Sequence, residues 1–326
     1  MIKTIVKRER LDQLRDQSRI MHKPAQIRLF VVLACGILAV STASILIKSA
    51  LDDGVPPLVI AAYRLTFAAL ILTPIVLSSR RAELRQLTRR DWRWALFSGF
   101  FLALHFAAWI SSLEYTTVTS SVVLVTTGPI WVALLSWLIW REKMTRPIVL
   151  GLVIAVLGGM LVGFSDSSGL GLGDAQLWGD FLALAGAWFV AGYLLIGRQL
   201  RDRMSLLTYI YIVYGTAALW LIGLAALSGA SFTRLPTGQP YPASAYIWML
   251  LLAILPQLVG HSSYNYALRF LPPTYVAIVA LAEPIGSSIL AFLVLDEVPP
   301  PLTILGATVI LIGIGIASWP ARSRAT

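Results

Sequence analysis

The chain has 326 residues, 57% hydrophobic and 13% charged, with a mean hydropathy of +0.77. Soluble domains carry about 25% charged residues, so a water-soluble globular protein is excluded. The net charge of +10 would suggest nucleic acid in a soluble protein. Here the basic residues sit between apolar runs of about 20 residues, the pattern of transmembrane helices and their loops. Nucleic acid is therefore not an expected partner.

Residues 1–27 are charged throughout and lack the apolar core of a cleaved signal, so they read as a basic tail. Ile5, Leu11 and Leu14 among Lys7, Arg8, Arg10 and Arg15 would also suit a short helix on the membrane surface. Ten apolar spans follow, at roughly 28–50, 57–78, 92–113, 117–140, 146–164, 176–198, 205–228, 245–267, 272–295 and 301–319. Each is long enough to cross as a helix and none alternates like a barrel strand, so the expected class is all-α. The single cysteine, Cys35, lies in the first span; it excludes an intramolecular disulfide, and no Cys/His metal spacing occurs.

Lys and Arg set the orientation. Eight lie up to Arg28, six from Arg80 to Arg93, three from Arg141 to Arg146 and three from Arg198 to Arg203. With Arg269, Arg322 and Arg324 they make 23 on one side, against Arg234 alone in the opposite loops. Positive loops stay inside, so both termini are expected in the cytoplasm and residues 320–326 form a short cytoplasmic tail.

The fourth and fifth spans are written again in the ninth and tenth. At a constant separation of 155, Pro129 falls on Pro284, Ile130 on Ile285, Glu142 on Glu297, Gly151 on Gly306 and Gly158 on Gly313. The chain reads as a tandem duplication, residues 28–164 and 176–319. Five spans per copy is odd, so the second copy must cross the membrane inverted. Gly36 with Gly186 and Lys48 with Arg198, both 150 apart, extend the match into the first span of each copy.

Two five-span copies, each with an apolar-Pro segment, a Glu thirteen residues on and a Gly-rich last helix, resemble the EamA unit of the drug/metabolite transporter superfamily. Tyr63-Arg64-Leu65 in the second span, Gly128-Pro129-Ile130 and Glu283-Pro284-Ile285 fit that unit. The resemblance implies ten helices, a central cavity between the repeats, and export or exchange of small metabolites by alternating access. It does not fix a substrate.

The residues themselves narrow the site. A polar group in hydrocarbon costs roughly 2.5–3.5 kcal/mol on insertion scales, so it should face the bundle interior. On the eighth span Gln257, His261 and Asn265 recur every four residues with Tyr264 beside them. On the third, Ser98, Phe101, His105, Trp109 and Ser112 share a face. These equivalent faces would meet near the pseudo-twofold axis as a midplane binding site, with Trp188 of the sixth span contributing in preference to Tyr193. The competing reading is that they knit helices together through interhelical hydrogen bonds. Ser41, Thr42 and Ser44 read as close packing, and Thr126 and Thr127 as satisfying a carbonyl freed by Pro129.

Glu283 is the one carboxylate deep in a span. Such a group can take up and release a proton, which makes it a candidate for coupling transport to proton flow; bracing the helix broken at Pro284 is the alternative. Arg64 reads as pairing with a carboxylate or carbonyls, or with an anionic substrate, and Glu142, Glu297, Pro129 and Pro284 as structural.

These readings point to a secondary transporter of small metabolites such as amino acids, expected as a monomer, in the cell (inner) membrane. Its expected partners are a small-molecule substrate and the bilayer, with no cofactor or metal. A carrier of phosphorylated or nucleotide-linked metabolites would want several intramembrane cations where only Arg64 stands. An intramembrane enzyme would want a nucleophile-base or metal constellation, which the spans lack, and no phosphate-cradling loop for ATP occurs.

Overall fold

A computed structural model describes residues 23–116, 121, 124, 125, 127–141, 144–164, 174–295 and 300–317. The basic tail before residue 23, and Thr126, Glu142 and Glu297, lie outside them. The first span is α1 (Lys23–Ser41) and α2 (Ala43–Asp52); the second is α3 (Pro57–Ser79). A short α4 (Arg81–Gln86) leads to the third, α5 (Arg89–Ser112). Helices α6 (Gly128–Trp140), α7 (Arg146–Phe164), α8 (Asp174–Arg201) and α9 (Leu206–Leu227) follow. The eighth span is α10 (Ala243–Leu252), a π-helical segment (Ala253–His261) and α11 (Ser262–Ala267). The ninth is α12 (Pro273–Ala280) and α13 (Glu283–Leu295), and α14 (Pro301–Ala317) closes the described chain.

Six of these stretches are long and apolar enough to cross a membrane: Gln26–Asp52, Pro57–Ser79, Arg89–Ser112, Ala175–Arg201, Leu206–Leu227 and Ala243–Ala267. The expected fourth, fifth, ninth and tenth spans are represented by shorter apolar helices, so the described helices establish an all-helical membrane protein with six full-length spans and not the full count of ten. Proline accounts for part of the difference. Pro129 stands in the first turn of α6 and Pro284 in the first turn of α13, where a missing N–H is tolerated, so a regular helix starts there.

The packing has the expected twofold character. Third and sixth spans pack together, as do their counterparts, the eighth and first. The fourth lies on the sixth as the ninth lies on the first, and the third on the seventh as the eighth on the second. The second and seventh, fourth and ninth, and fifth and tenth pack on their own counterparts.

The fifth and tenth spans show the register residue by residue. A Cβ on Gly151 would stand 2.5 Å from the Gly313 carbonyl oxygen, and one on Gly158 2.8 Å from that of Gly306. The contacts run in opposite senses along the two helices, which are therefore antiparallel. Shifting by 155 turns the Gly151–Gly313 contact into the Gly306–Gly158 contact, and Ala155 on Gly313 into Ile310 on Gly158. Backbones approach this closely in lipid only where side chains are absent, because dispersion, not hydrophobicity, holds helices together there.

Loops at one end are tied by charge and caps. Thr88 and Asp91 form a capping box at the start of α5. The Ser205 backbone N–H donates to a Glu83 carboxylate oxygen at 2.6 Å, joining the α4 loop to the start of α9. Burial alone would raise the Glu83 carboxyl, but hydrogen bonds from Ser205 and Thr208, with Arg80 nearby, hold it below its ordinary value.

Candidate functional site

Second, third and eighth spans converge on Arg64. Its side chain is 1% exposed, its Nε donates to Oε1 of Gln257 at 2.9 Å, and its guanidinium lies over the Phe106 ring at 4.2 Å. Phe106 is in turn edge-on to His261 at 5.3 Å, and His261 to Tyr264 at 6.0 Å. Three spans thus meet through one cation, one amide and three rings.

The eighth span reaches this point by leaving the α-helical path. Pro256 lies inside the π-helical segment, where it supplies no N–H. Wider turns of this kind are held by hydrogen bonds five residues apart and recur at functional sites. Spacing by four therefore does not keep one face as an α-helix would. Gln257 and His261 face Arg64 and Phe106, whereas the Asn265 amide donates to the hydroxyls of Tyr193 and Tyr214. Its main-chain oxygen accepts from Arg201. Asn265 belongs to a neighbouring network, linked back through Tyr214, whose hydroxyl reaches the Gln257 carbonyl at 3.4 Å.

The third span divides similarly. His105 Nδ1–H donates to the Gly186 carbonyl at 2.9 Å; a carbonyl can only accept, which fixes the tautomer. The same histidine stacks on Trp109 at 6.0 Å. A Cβ on Gly186 would touch Trp109 at 3.2 Å. His105 is thus a pin between the third and sixth spans. Ser98 is hydrogen-bonded to Tyr209 at 2.7 Å, and Ser112 donates to the Trp109 carbonyl. Trp188 stands between Trp131 at 5.4 Å and Phe181 at 6.1 Å, away from the polar contacts of Gln257.

Glu283 opens α13 beyond the break in the ninth span. Its main-chain oxygen accepts from Ser41 Oγ at 3.0 Å, and Ser287 Oγ donates to the Ser41 carbonyl at 2.9 Å. Ser41 therefore stitches the first span to the break, and Thr127 satisfies the Leu124 carbonyl at 2.6 Å, both local roles. The Glu283 side chain lies within electrostatic reach of Arg64. Among the described residues the ion pairs are Arg198–Asp202 and Arg203–Asp91, so Arg64 and Glu283 are not in direct contact.

The centre is buried and yet incompletely bonded. Around Arg64, both of its Nη atoms, Nε2 of Gln257, Nδ1 of His261, the Tyr264 hydroxyl and the Trp109 indole N–H have no hydrogen-bond partner; outside it, Oδ1 of Asn265 in the tyrosine network and the Trp188 indole N–H on the sixth span also lack one. Buried polar groups are otherwise almost always satisfied, so a cluster of exceptions requires an explanation. Among the described residues no group of three or more His, Cys, Asp or Glu could hold a metal ion.

Of the residues singled out in the sequence, Gln257, His261 and Tyr264 lie at this centre, where Arg64 had been given a peripheral part. Phe106 was not among those residues. The available signal was that Arg64 is the one Arg well away from the ends of a span, which in hydrocarbon demands a partner of equal depth.

Comparison with known proteins places this arrangement. The EamA-like transporter family matches residues 28–164 and again 177–319. An uncharacterized transporter of Archaeoglobus fulgidus is 27% identical over 65% of this chain and 71% of its own length. The uncharacterized transporter YwfM of Bacillus subtilis is 24% identical over 86% and 90%. One crystal structure superposes with a TM-score of 0.73 at 18% identity, over 89% of this chain and 96% of that one, and so shares the fold. With both halves matched, the chain is a multi-pass membrane protein that belongs to the EamA-like transporter family.

Proposed function

We propose that this chain is a secondary transporter that moves small organic metabolites, amino acids with apolar or aromatic side chains among them, out of the cytoplasm by alternating access between its two inverted repeats. The observation that carries the reading is the set of buried, unpartnered polar atoms where the second, third and eighth spans meet. A solute bound there would complete those hydrogen bonds, and Phe106, Trp109 and Tyr264 supply apolar surface beside them. The Lys and Arg distribution supports the cell (inner) membrane with both termini in the cytoplasm. Glu283, at the break in the ninth span, is the group through which proton flow would be coupled. A phosphorylated ligand is less well matched, because one guanidinium stands at the centre and the buried Arg201 is engaged by the carbonyls of Asn265 and Met204.

Counterflow in proteoliposomes tests the reading. Vesicles preloaded with an unlabelled amino-acid mixture should take up labelled aromatic or branched-chain amino acids faster than empty vesicles. Equal uptake in loaded, empty and protein-free vesicles, across amino acids and organic acids alike, would reject it.

A further inference from the structure

The bonding at Arg64 is specific enough to name the group that completes it. Its Nε is committed to Gln257 Oε1, and Phe106 covers one face of the guanidinium. What is left is the in-plane edge bearing the two Nη atoms, both buried and without an acceptor. Because Oε1 of Gln257 points to Arg64, the same amide must direct Nε2 elsewhere, and this N–H group also lacks an acceptor. The centre therefore presents donors in excess, in the planar fork that matches the two oxygens of a carboxylate.

The charge count is equally restrictive. Arg64 and Glu283 are each within reach of the other's field but make no direct ion pair. One buried cation supports one buried anion; a second anion in the same low-dielectric site would be uncompensated. We propose that the Nη edge of Arg64, with Nε2 of Gln257, is the carboxylate-binding cradle of the transported solute, and that Glu283 is the internal carboxylate that competes for it. The inference rests on the transporter reading above and narrows its substrates to compounds with a single free carboxylate, zwitterionic amino acids included. Since Glu283 begins α13, a solute carboxylate that takes the Arg64 edge in its place acts on the broken ninth span, which Ser41 and Ser287 tie to the first.

The test uses the full chain in lipid nanodiscs and reads its thermal midpoint, which a ligand raises with the logarithm of one plus its concentration over Kd. The probes are L-phenylalanine and benzoate, their carboxylate-free amides L-phenylalaninamide and benzamide, and phenyl phosphate. The acids should raise the midpoint and the amides should not. Arg64→Lys keeps the charge but loses the fork, and should weaken acid binding by about tenfold or more. Glu283→Gln removes the competitor and should tighten it by a similar factor.

Several results would overturn the proposal: amides that bind as well as acids, no midpoint shift with either acid, or acid affinity unaltered in Arg64→Lys. Glu283→Gln with unchanged or weaker acid affinity would remove Glu283 as competitor, and stronger binding of phenyl phosphate than of benzoate would overturn the single-carboxylate assignment. The acid–amide comparison needs no substitution, so it stands even if a variant fails to fold. Counterflow of a neutral or cationic metabolite without carboxylate binding would overturn the cradle and keep the transporter. Carboxylate binding without any counterflow would do the opposite.

Discussion

The seam between the fifth and tenth spans and the centre around Arg64 are built on opposite principles. The seam is made of Gly151, Gly158, Gly306 and Gly313 with Ala155, Ile310 and Ala317; backbone meets backbone, and nothing polar in a side chain is at stake. The centre is made of Arg64, Gln257, His261 and Tyr264, and five of their side-chain polar atoms have no hydrogen-bond partner. A contact without slack fixes two helices against each other. A site with unsatisfied donors and acceptors is instead poised to exchange partners. On the proposed function the first kind of region serves the fold and the second the solute, so substitutions in the two should separate stability from transport.

The largest effect is expected at the seam. Gly158→Leu would drive a side chain into the backbone of Ile310 and Gly306, at a cost of about 3 kcal/mol or more. The variant should elute as aggregate or melt well below the native chain, with transport lost only because folded protein is lost. A well-folded Gly158→Leu chain would break the contrast from the structural side.

At the centre, Gln257→Leu leaves the Arg64 Nε without its acceptor, a penalty of about 1–3 kcal/mol. Counterflow should fall further than that loss of stability explains, when both are measured on the same preparation. Asn265→Leu, in the neighbouring tyrosine network, should cost a comparable amount by removing the amide's bonds to the Tyr193 and Tyr214 hydroxyls, but with transport per folded molecule largely kept. If Asn265→Leu abolished transport while the protein stayed folded, the centre would have to be extended to include it. His105→Phe removes the bond to Gly186 and should cost about 1 kcal/mol in the thermal midpoint; a specific loss of transport instead would make His105 more than a pin.

The smallest effect lies outside the spans. The Glu83 carboxyl is held below its ordinary value in the folded chain. Its contribution is therefore present above the unfolded carboxyl value, and is lost as pH falls through the lower folded one. Glu83→Gln should lower stability slightly at neutral pH and flatten the acid limb of the stability profile, the difference from the native chain vanishing as pH falls below the folded carboxyl value. An unchanged acid limb would show that the Ser205 contact is not maintained in solution.

Much of this architecture is legible in the sequence because it is repetitive. A separation of 155 paired Gly151 with Gly306 and Gly158 with Gly313, and the observed contacts between those very helices obey the same shift. Apolar length marked the spans, and polar residues too costly to face lipid marked Gln257, His261 and Tyr264 as interior. Glycine, proline and charge carry such information locally, since each constrains backbone approach, helix continuity or depth whatever the rest of the chain does.

The grouping of the polar residues depended on the fold. A reading by fours placed Gln257, His261 and Asn265 on one face, but the π-helical turns around Pro256 rotate the later part of the span and send Asn265 to Tyr193 and Tyr214. Trp188 was preferred to Tyr193, yet it is Tyr193 that bonds into this network. The position of Arg64 on Gln257 and under Phe106 joins residues 193 and 42 positions apart in the chain. The sequence by itself determined which groups had to be buried, because hydrocarbon penalises each one separately. Which of them meet, and which are left with open bonds, was decided by tertiary packing, because a hydrogen bond depends on the relative placement of two helices and not on the composition of either.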